Sequence, residues 1–473
     1  MKNLLSLFSL GLIFLLSNCQ NPSPQETKQN KLALNNSPEE VAAPNPSETN
    51  FEIMMDHQLY FTGADNREVY FMARIKGGAD TVERDRPPLN ISLVLDRSGS
   101  MESERKLEKA KEAVLMVLNH LKGEDQYSLV SYDHMVTVDQ PSGKIQNKSA
   151  VQAKIKAIRS GGSTNLSGGM LEGYNQVKNT KIEKAVNRVL LLSDGLANQG
   201  ITEPSELQKI VQSKFDQESM AISTFGVGSD FNEDLMTNLA EYGRGNYYFI
   251  DSPDDIPAIF KKELDGLLSV VAQNTQLTIN FPNNQLELEK VYGYEASIND
   301  NEIRIPFNDV FAEEEKVVLV KFRLKDDISG SLNFKGQLQY DDVLNGYTRK
   351  EEILELEMKA TSDKVAYEES ANKEVLKNIV AFTAVQNVEQ VALLIDQGKY
   401  DEARALMQEN IQFMESNPLY DISLDSTLSK QLIDYKDYSE SLEDVEVMEA
   451  AERSSMQKAN KMKNYEYEKK KRK

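Results

Sequence analysis

The strongest constraint on the fold is a set of short runs that lack a polar face. "LNISLVLD" (89–96), "NRVLLLSDG" (187–195) and "MAISTFGVGS" (220–229) are apolar almost throughout, yet only strand-length. Strands of that kind are buried on both faces, which requires helices above and below a mostly parallel sheet. Those helices are legible in the intervening sequence. "ESERKLEKAKEAVLMVLNHLKG" places Leu107, Ala110, Ala113, Val114, Val117, Leu118 and Leu121 at helical spacing. Two more helices are expected around 150–180, and others near 205–218, over 232–242 and in "DIPAIFKKELDGLL". "DQYSLVSYD" and "MVTVD" predict a hairpin, and "GNYYFID" predicts the last strand. Residues 88–268 therefore predict a doubly wound α/β domain. In such a sheet, ligands bind at the carboxyl ends of the strands, in the loops that lead into helices.

That rule selects the candidate site. Asp96 ends the first strand, so Ser98 and Ser100 lie in the loop above the sheet. Asp194 leaves the strand "VLLLS" at the same edge, and "RSGGSTNLSGGM" brings Thr164 there ahead of a helix. Two carboxylates and three hydroxyls form an all-oxygen donor set. It suits a hard divalent cation such as Mg²⁺, with Mn²⁺ or Ca²⁺ as alternatives. The ordered series "DRSGS", "GST" and "SDG" resembles the metal-ion-dependent adhesion site of von Willebrand factor type A domains. The resemblance covers about residues 88–268. It implies that Ser98, Ser100 and Thr164 are direct ligands through their hydroxyls, and that Asp96 and Asp194 bind directly or through water. It also implies that the cation takes a further oxygen from an acidic residue of a partner protein.

Catalysis is not expected. His57, His120 and His134 stand in no nucleophile or zinc motif, and no Gly-x-Ser-x-Gly or Walker loop occurs. A hydroxyl-rich cation site supplies no general base. The formal net charge of −21 also argues against a nucleic-acid partner, which needs a basic footprint.

The flanks have a different pattern. In "NREVYFMARIKGG", Val69, Phe71, Ala73 and Ile75 alternate with other residues. Downstream, "LTINFP", "KVVLVKFRLK", "SLNFKGQLQY" and "EEILELEMK" read as half-buried antiparallel strands. The upstream strands are too few to be stable alone. One antiparallel β-sandwich is therefore expected from residues 51–86 and 272–360, with the α/β domain inserted in it. Residues 363–473 predict a helical hairpin joined at "DQGKY", then a charged helical tail that is solvated at "EYEKKKRK".

The N-terminus predicts export. "MKNLLSLFSLGLIFLLSNC" (1–19) has one Lys, an apolar run over 4–16 and then Cys19. "LSNC" resembles a bacterial lipobox, which implies lipidation of Cys19; the competing reading is an ordinary cleaved signal or an uncleaved anchor. Cys19 is the only cysteine of the chain, so it has no disulfide partner within it. Residues 20–50 read as a disordered tether, and no spanning segment is expected past residue 16. The expected location is the cell envelope, anchored to membrane by lipid, with Gln20 favouring the outer membrane under the rule known in enteric bacteria. The expected function is non-enzymatic, metal-bridged protein binding. The alternative is an envelope scaffold in which the metal only stabilises loops.

Overall fold

The computed structural model describes residues 27–31, 49–63, 67–79, 86–326, 328, 330–417 and 421–469. Cys19 and the signal segment lie outside the described residues. The chain begins with strands β1 (Thr27–Lys31), β2 (Asn50–Met55), β3 (Leu59–Phe61) and β4 (Glu68–Lys76). The α/β unit follows as β5 (Leu89–Asp96), α1 (Lys106–His120), β6 (Gln126–Tyr132), β7 (Val136–Gly143), α2 (Lys148–Ala157) and α3 (Leu166–Asn179). It continues with β8 (Val186–Ser193), α4 (Pro204–Glu218), β9 (Ala221–Val227), α5 (Glu233–Tyr242), β10 (Arg244–Ile250) and α6 (Ile256–Leu268). Then come β11 (Val270–Asn280), β12 (Leu286–Tyr292), β13 (Ser297–Asn299), β14 (Glu302–Pro306) and β15 (Val310–Phe311). The last strands are β16 (Glu315–Leu324), β17 (Leu332–Asp342) and β18 (Thr348–Thr361). Helices α7 (Lys364–Glu369), α8 (Lys373–Asp396), α9 (Tyr400–Glu415), α10 (Ser426–Ser441) and α11 (Ala450–Lys469) close the chain.

The apolar strands β5, β8 and β9 lie at the centre of a sheet ordered β10-β9-β8-β5-β6-β7, parallel except for β7. Successive side chains on a strand point to opposite faces, so two cores form. Leu89, Ile91, Leu93 and Leu95 pack beneath α1, α2 and α6, while Val94, Val189 and Leu191 pack beneath α3, α4 and α5. One expected boundary moves. The residues Gly99–Arg105 form a 3₁₀ segment with Glu104 at φ 52°, and α1 starts only at Lys106.

Strands from both sides of this unit build the sandwich. β2 pairs with β4, and β4 pairs with β16 along its whole length, in a sheet ordered β12-β16-β4-β2. The facing sheet runs β1-β18-β17-β11-β14-β13, with β3 and β15 attached. Phe51, Ile53, Phe71 and Ile75 share one core with Leu277, Phe322, Phe334 and Leu338. Pairing is not wholly antiparallel, because β1 and β3 both run parallel to β18. β1 also departs from the expected tether: Thr27–Lys31 supplies backbone hydrogen-bonding groups to an edge of β18 that would otherwise be unpaired. Removing residues 51–86 would strip β2, β3 and β4 from the sandwich and bare the long β16 edge. The expected result is aggregation on expression, which sedimentation of the truncated chain would reveal.

The other face of the smaller sheet is covered too. Met72, Val317 and Leu319 pack on Val375, Leu376, Ile379 and Phe382 of α8. This is why Val317, Val318, Leu319 and Val320 are buried in succession, unlike a half-exposed strand. α8 is long and apolar enough to cross a membrane by length and composition. Its apolar residues are instead spent on β4, β16, α9 and α10.

The charged tail is docked, not solvated, as far as Lys469. Lys458 Nζ donates to the carbonyls of Ser229 and Phe231, each at 2.7 Å, and lies 3.9 Å over the Phe231 ring. Asn464 donates to the Val385 carbonyl at 3.0 Å, and Lys469 to that of Gly293 at 2.7 Å. Thus α11 binds the α/β unit, α8 and the sandwich together through polar side chains.

A candidate metal centre at the sheet edge

Asp96 is the last residue of β5 and is wholly buried. Its Oδ1 accepts the Ser98 N–H at 2.8 Å, and its Oδ2 accepts the Ser193 hydroxyl at 2.7 Å. The first bond is an Asx turn, which reverses the chain as it leaves the strand. That reversal brings the Ser98 and Ser100 hydroxyl oxygens to 3.1 Å. Ser100 Oγ in turn donates to Asp194 Oδ1 at 2.7 Å. Asp194, wholly buried, follows β8, the parallel neighbour of β5.

Thr164 comes from the connection between α2 and α3, which crosses over this edge. Gly161 N–H bonds the Arg97 carbonyl at 2.9 Å, and Gly99 N–H bonds the Gly162 carbonyl at 3.1 Å. Gly162 has φ +78°, and a Cβ there would lie 2.3 Å from His134 Nδ1. Only glycine meets both conditions. The Thr164 N–H is fixed by Asn198 Oδ1 at 2.9 Å. A Cβ added to Gly195 would lie 3.3 Å from Thr164 Oγ1 and 3.8 Å from Ser100 Oγ. Both hydroxyls therefore border the same small space, and glycine at 195 keeps it clear.

All five expected residues thus meet at one edge, and they fit a hard cation. Among the described residues no group of three or more His, Cys, Asp or Glu side chains forms a metal cluster elsewhere. Here two carboxylates are supplemented by neutral hydroxyl oxygens, a donor set for Mg²⁺ or Mn²⁺ with water completing the shell. Burial pushes the Asp96 carboxyl up to about 6; hydrogen bonds from Ser193 and Ser98 oppose this, and the charge of Asp194 adds to it. A bound cation would favour the ionised form and reverse that penalty.

Three residues of the site were not expected there. Ser193, the first residue of "SDG", holds Asp96, and Asn198 holds Thr164, but a serine and an asparagine near a turn carry no signal of such a role. Lys106 is different. Its Nζ lies 2.9 Å from Asp194 Oδ2, and the residue is 6% exposed. Lys106, Ala110, Ala113 and Val117 share the i, i+4, i+7, i+11 face of α1, so a charge stood in the apolar stripe of the sequence.

Residues 90–262 match the family model of the von Willebrand factor type A domain. The uncharacterized protein YfbK of Escherichia coli (strain K12) is 30% identical over 217 residues, 46% of this chain. That match spans 38% of the relative's own length. The uncharacterized protein sll0103 of Synechocystis sp. is 25% identical over 309 residues, covering 63% of this chain and 71% of the relative. Among solved structures, a von Willebrand factor type A protein from Catenulispora acidiphila superposes with a TM-score of 0.64 at 15% identity. It covers 83% of this chain and 91% of that one, so the likeness in fold extends beyond the α/β unit.

Proposed function

We propose, from the von Willebrand factor type A domain that this chain carries, a non-enzymatic binding protein whose cation captures an acidic group of a partner protein. The observation that supports this most is the hydroxyl cluster of Ser98, Ser100 and Thr164 bordering one space between two buried aspartates. Neutral ligands leave a divalent cation short of negative charge, so it draws a carboxylate from outside. The setting suits protein contact. Met135 is 58% exposed and Leu196 57% exposed, on loops that follow β6 and β8, the two neighbours of β5. An acidic side chain reaching the cation would bring its own backbone over these apolar residues, which would lose their solvent exposure.

The test is capture from envelope extracts by the immobilised chain, in Mg²⁺ and in excess chelator, with Asp96→Ala as control. Capture that requires both Mg²⁺ and Asp96 supports the reading. A partner retained in chelator and by the variant would transfer binding to the sandwich or helices. The metal would then serve the loops alone, as in a scaffold.

The chain is further proposed to work at a membrane surface, held by a lipid on Cys19. Replacing Cys19 with serine is expected to move the protein from the detergent-extracted membrane fraction to the soluble fraction. Membrane association unchanged by Cys19→Ser would assign the attachment to another segment.

A further inference from the structure

The backbone before α1 is strained at one place, and the strain has a product. Glu104 (φ 52°) and Arg105 (φ 61°) are consecutive left-handed residues, and neither is glycine or asparagine. Such conformations are unfavourable for residues with a Cβ and persist where surrounding structure enforces them. Their effect is to turn Lys106 into the sheet edge as the first residue of α1. There its ammonium is buried against Asp194 Oδ2 at 2.9 Å. The wall beside it is bare backbone: a Cβ added to Gly228, φ +74°, would lie in ordinary contact with Lys106 Nζ at 3.5 Å.

An ammonium in a cation site works against cation affinity, so its placement calls for a function that offsets this. Asp194 has its Oδ1 bonded by Ser100 and its Oδ2 by Lys106, leaving its charge compensated within the protein. Arg97, the nearest guanidinium in sequence, pairs with Asp133 instead. Asp96 then remains the single uncompensated carboxylate of the centre. We propose that Lys106 sets the charge of the metal centre, giving up cation affinity so that the bound ion keeps a net positive charge and binds an external carboxylate. Lys106 is thus a specificity-determining residue for acidic ligands. This rests on the cation-centre reading above.

The experiment uses the full mature chain and two titrations. Mn²⁺ binding is followed by water proton relaxation, and acetate is then added to the Mn²⁺-loaded protein to displace bound water. Lys106→Met should tighten Mn²⁺ at least about tenfold and weaken acetate at least about threefold. Lys106→Arg, which retains the charge, should stay near wild type in both. A purely structural lysine would not move the two affinities in opposite directions. If Lys106→Met does not fold, Lys106→Gln removes the charge while keeping a donor to Asp194, and the same opposed changes are expected. Mn²⁺ bound no more tightly by the neutral variants, or acetate bound no more weakly, overturns the role of Lys106. A wild-type chain that binds no Mn²⁺ overturns instead the cation-centre reading on which that role depends.

Discussion

Replacing Asp96 with alanine is expected to abolish detectable Mg²⁺ and Mn²⁺ binding while leaving the α/β core folded. Loss of a mere outer partner of a metal ligand costs roughly 10- to 100-fold in affinity, and Asp96 does more than that. It is the carboxylate that Lys106 leaves uncompensated, and its Asx turn aims Ser98 and Ser100. The structural cost is limited. The Ser98 N–H and the Ser193 hydroxyl lose an acceptor, at about 1–3 kcal/mol in a buried setting. Removing one of two neighbouring buried carboxylates offsets part of it. The two cores of the domain lie along the strands and do not include Asp96. Calorimetric titration with Mg²⁺ and a thermal scan of the same sample would separate the effects. A variant that unfolds with the metal would make Asp96 a structural residue first.

A second large effect is expected at the opposite end of the sheet. Arg188 on β8 is 1% exposed, and its guanidinium pairs with Asp309 of the sandwich at 2.6 Å. Asp309 also accepts from Gln273 at 3.0 Å, while Arg188 reaches Ser223 Oγ at 3.3 Å. The inserted domain is therefore pinned to its host by the edge away from the metal centre. Arg188→Ala would leave Asp309 buried without its cation, a loss of about 3–5 kcal/mol. Urea unfolding should show a markedly lower midpoint. Arg188→Met combined with Asp309→Asn should recover much of it, because position 309 then no longer carries a buried charge without its cation. Mn²⁺ affinity of the folded Arg188→Ala protein should remain within about twofold, since distant sites act independently. A midpoint close to wild type would show that the pair does not hold the two units together.

Much of this architecture was legible in the sequence because burial has periodicity. β5, β8 and β9 are apolar on both faces, and only a helix-covered sheet accommodates that. Asp96, Ser98, Ser100 and Asp194 were legible because strand ends determine where a ligand can sit, whereas Thr164, between α2 and α3, was legible through the resemblance to a metal-ion-dependent adhesion site. What escaped lacked a periodic signal. Glu104 and Arg105 are ordinary helix formers in a charged, helical-looking stretch, so tertiary structure alone reveals their left-handed turn. Lys106 looked like one more charge on a charged helix, although its place in the apolar stripe distinguished it. α11 docks by Lys458, Asn464 and Lys469 through hydrogen bonds to backbone carbonyls, a mode that no hydrophobic pattern announces. β16 looked like a half-buried strand because nothing local indicated that α8 would cover its second face.

We propose that the edge formed by β5 and β8 holds a divalent cation ready to accept a carboxylate. Crystals of the chain grown with Mn²⁺ and an acidic peptide would reveal it through the anomalous signal of manganese. One strong peak is expected, bordered by the hydroxyls of Ser98, Ser100 and Thr164, with a peptide carboxylate completing its shell and Lys106 still on Asp194. A map with no peak at that position, or with the manganese held elsewhere on the chain, would contradict it.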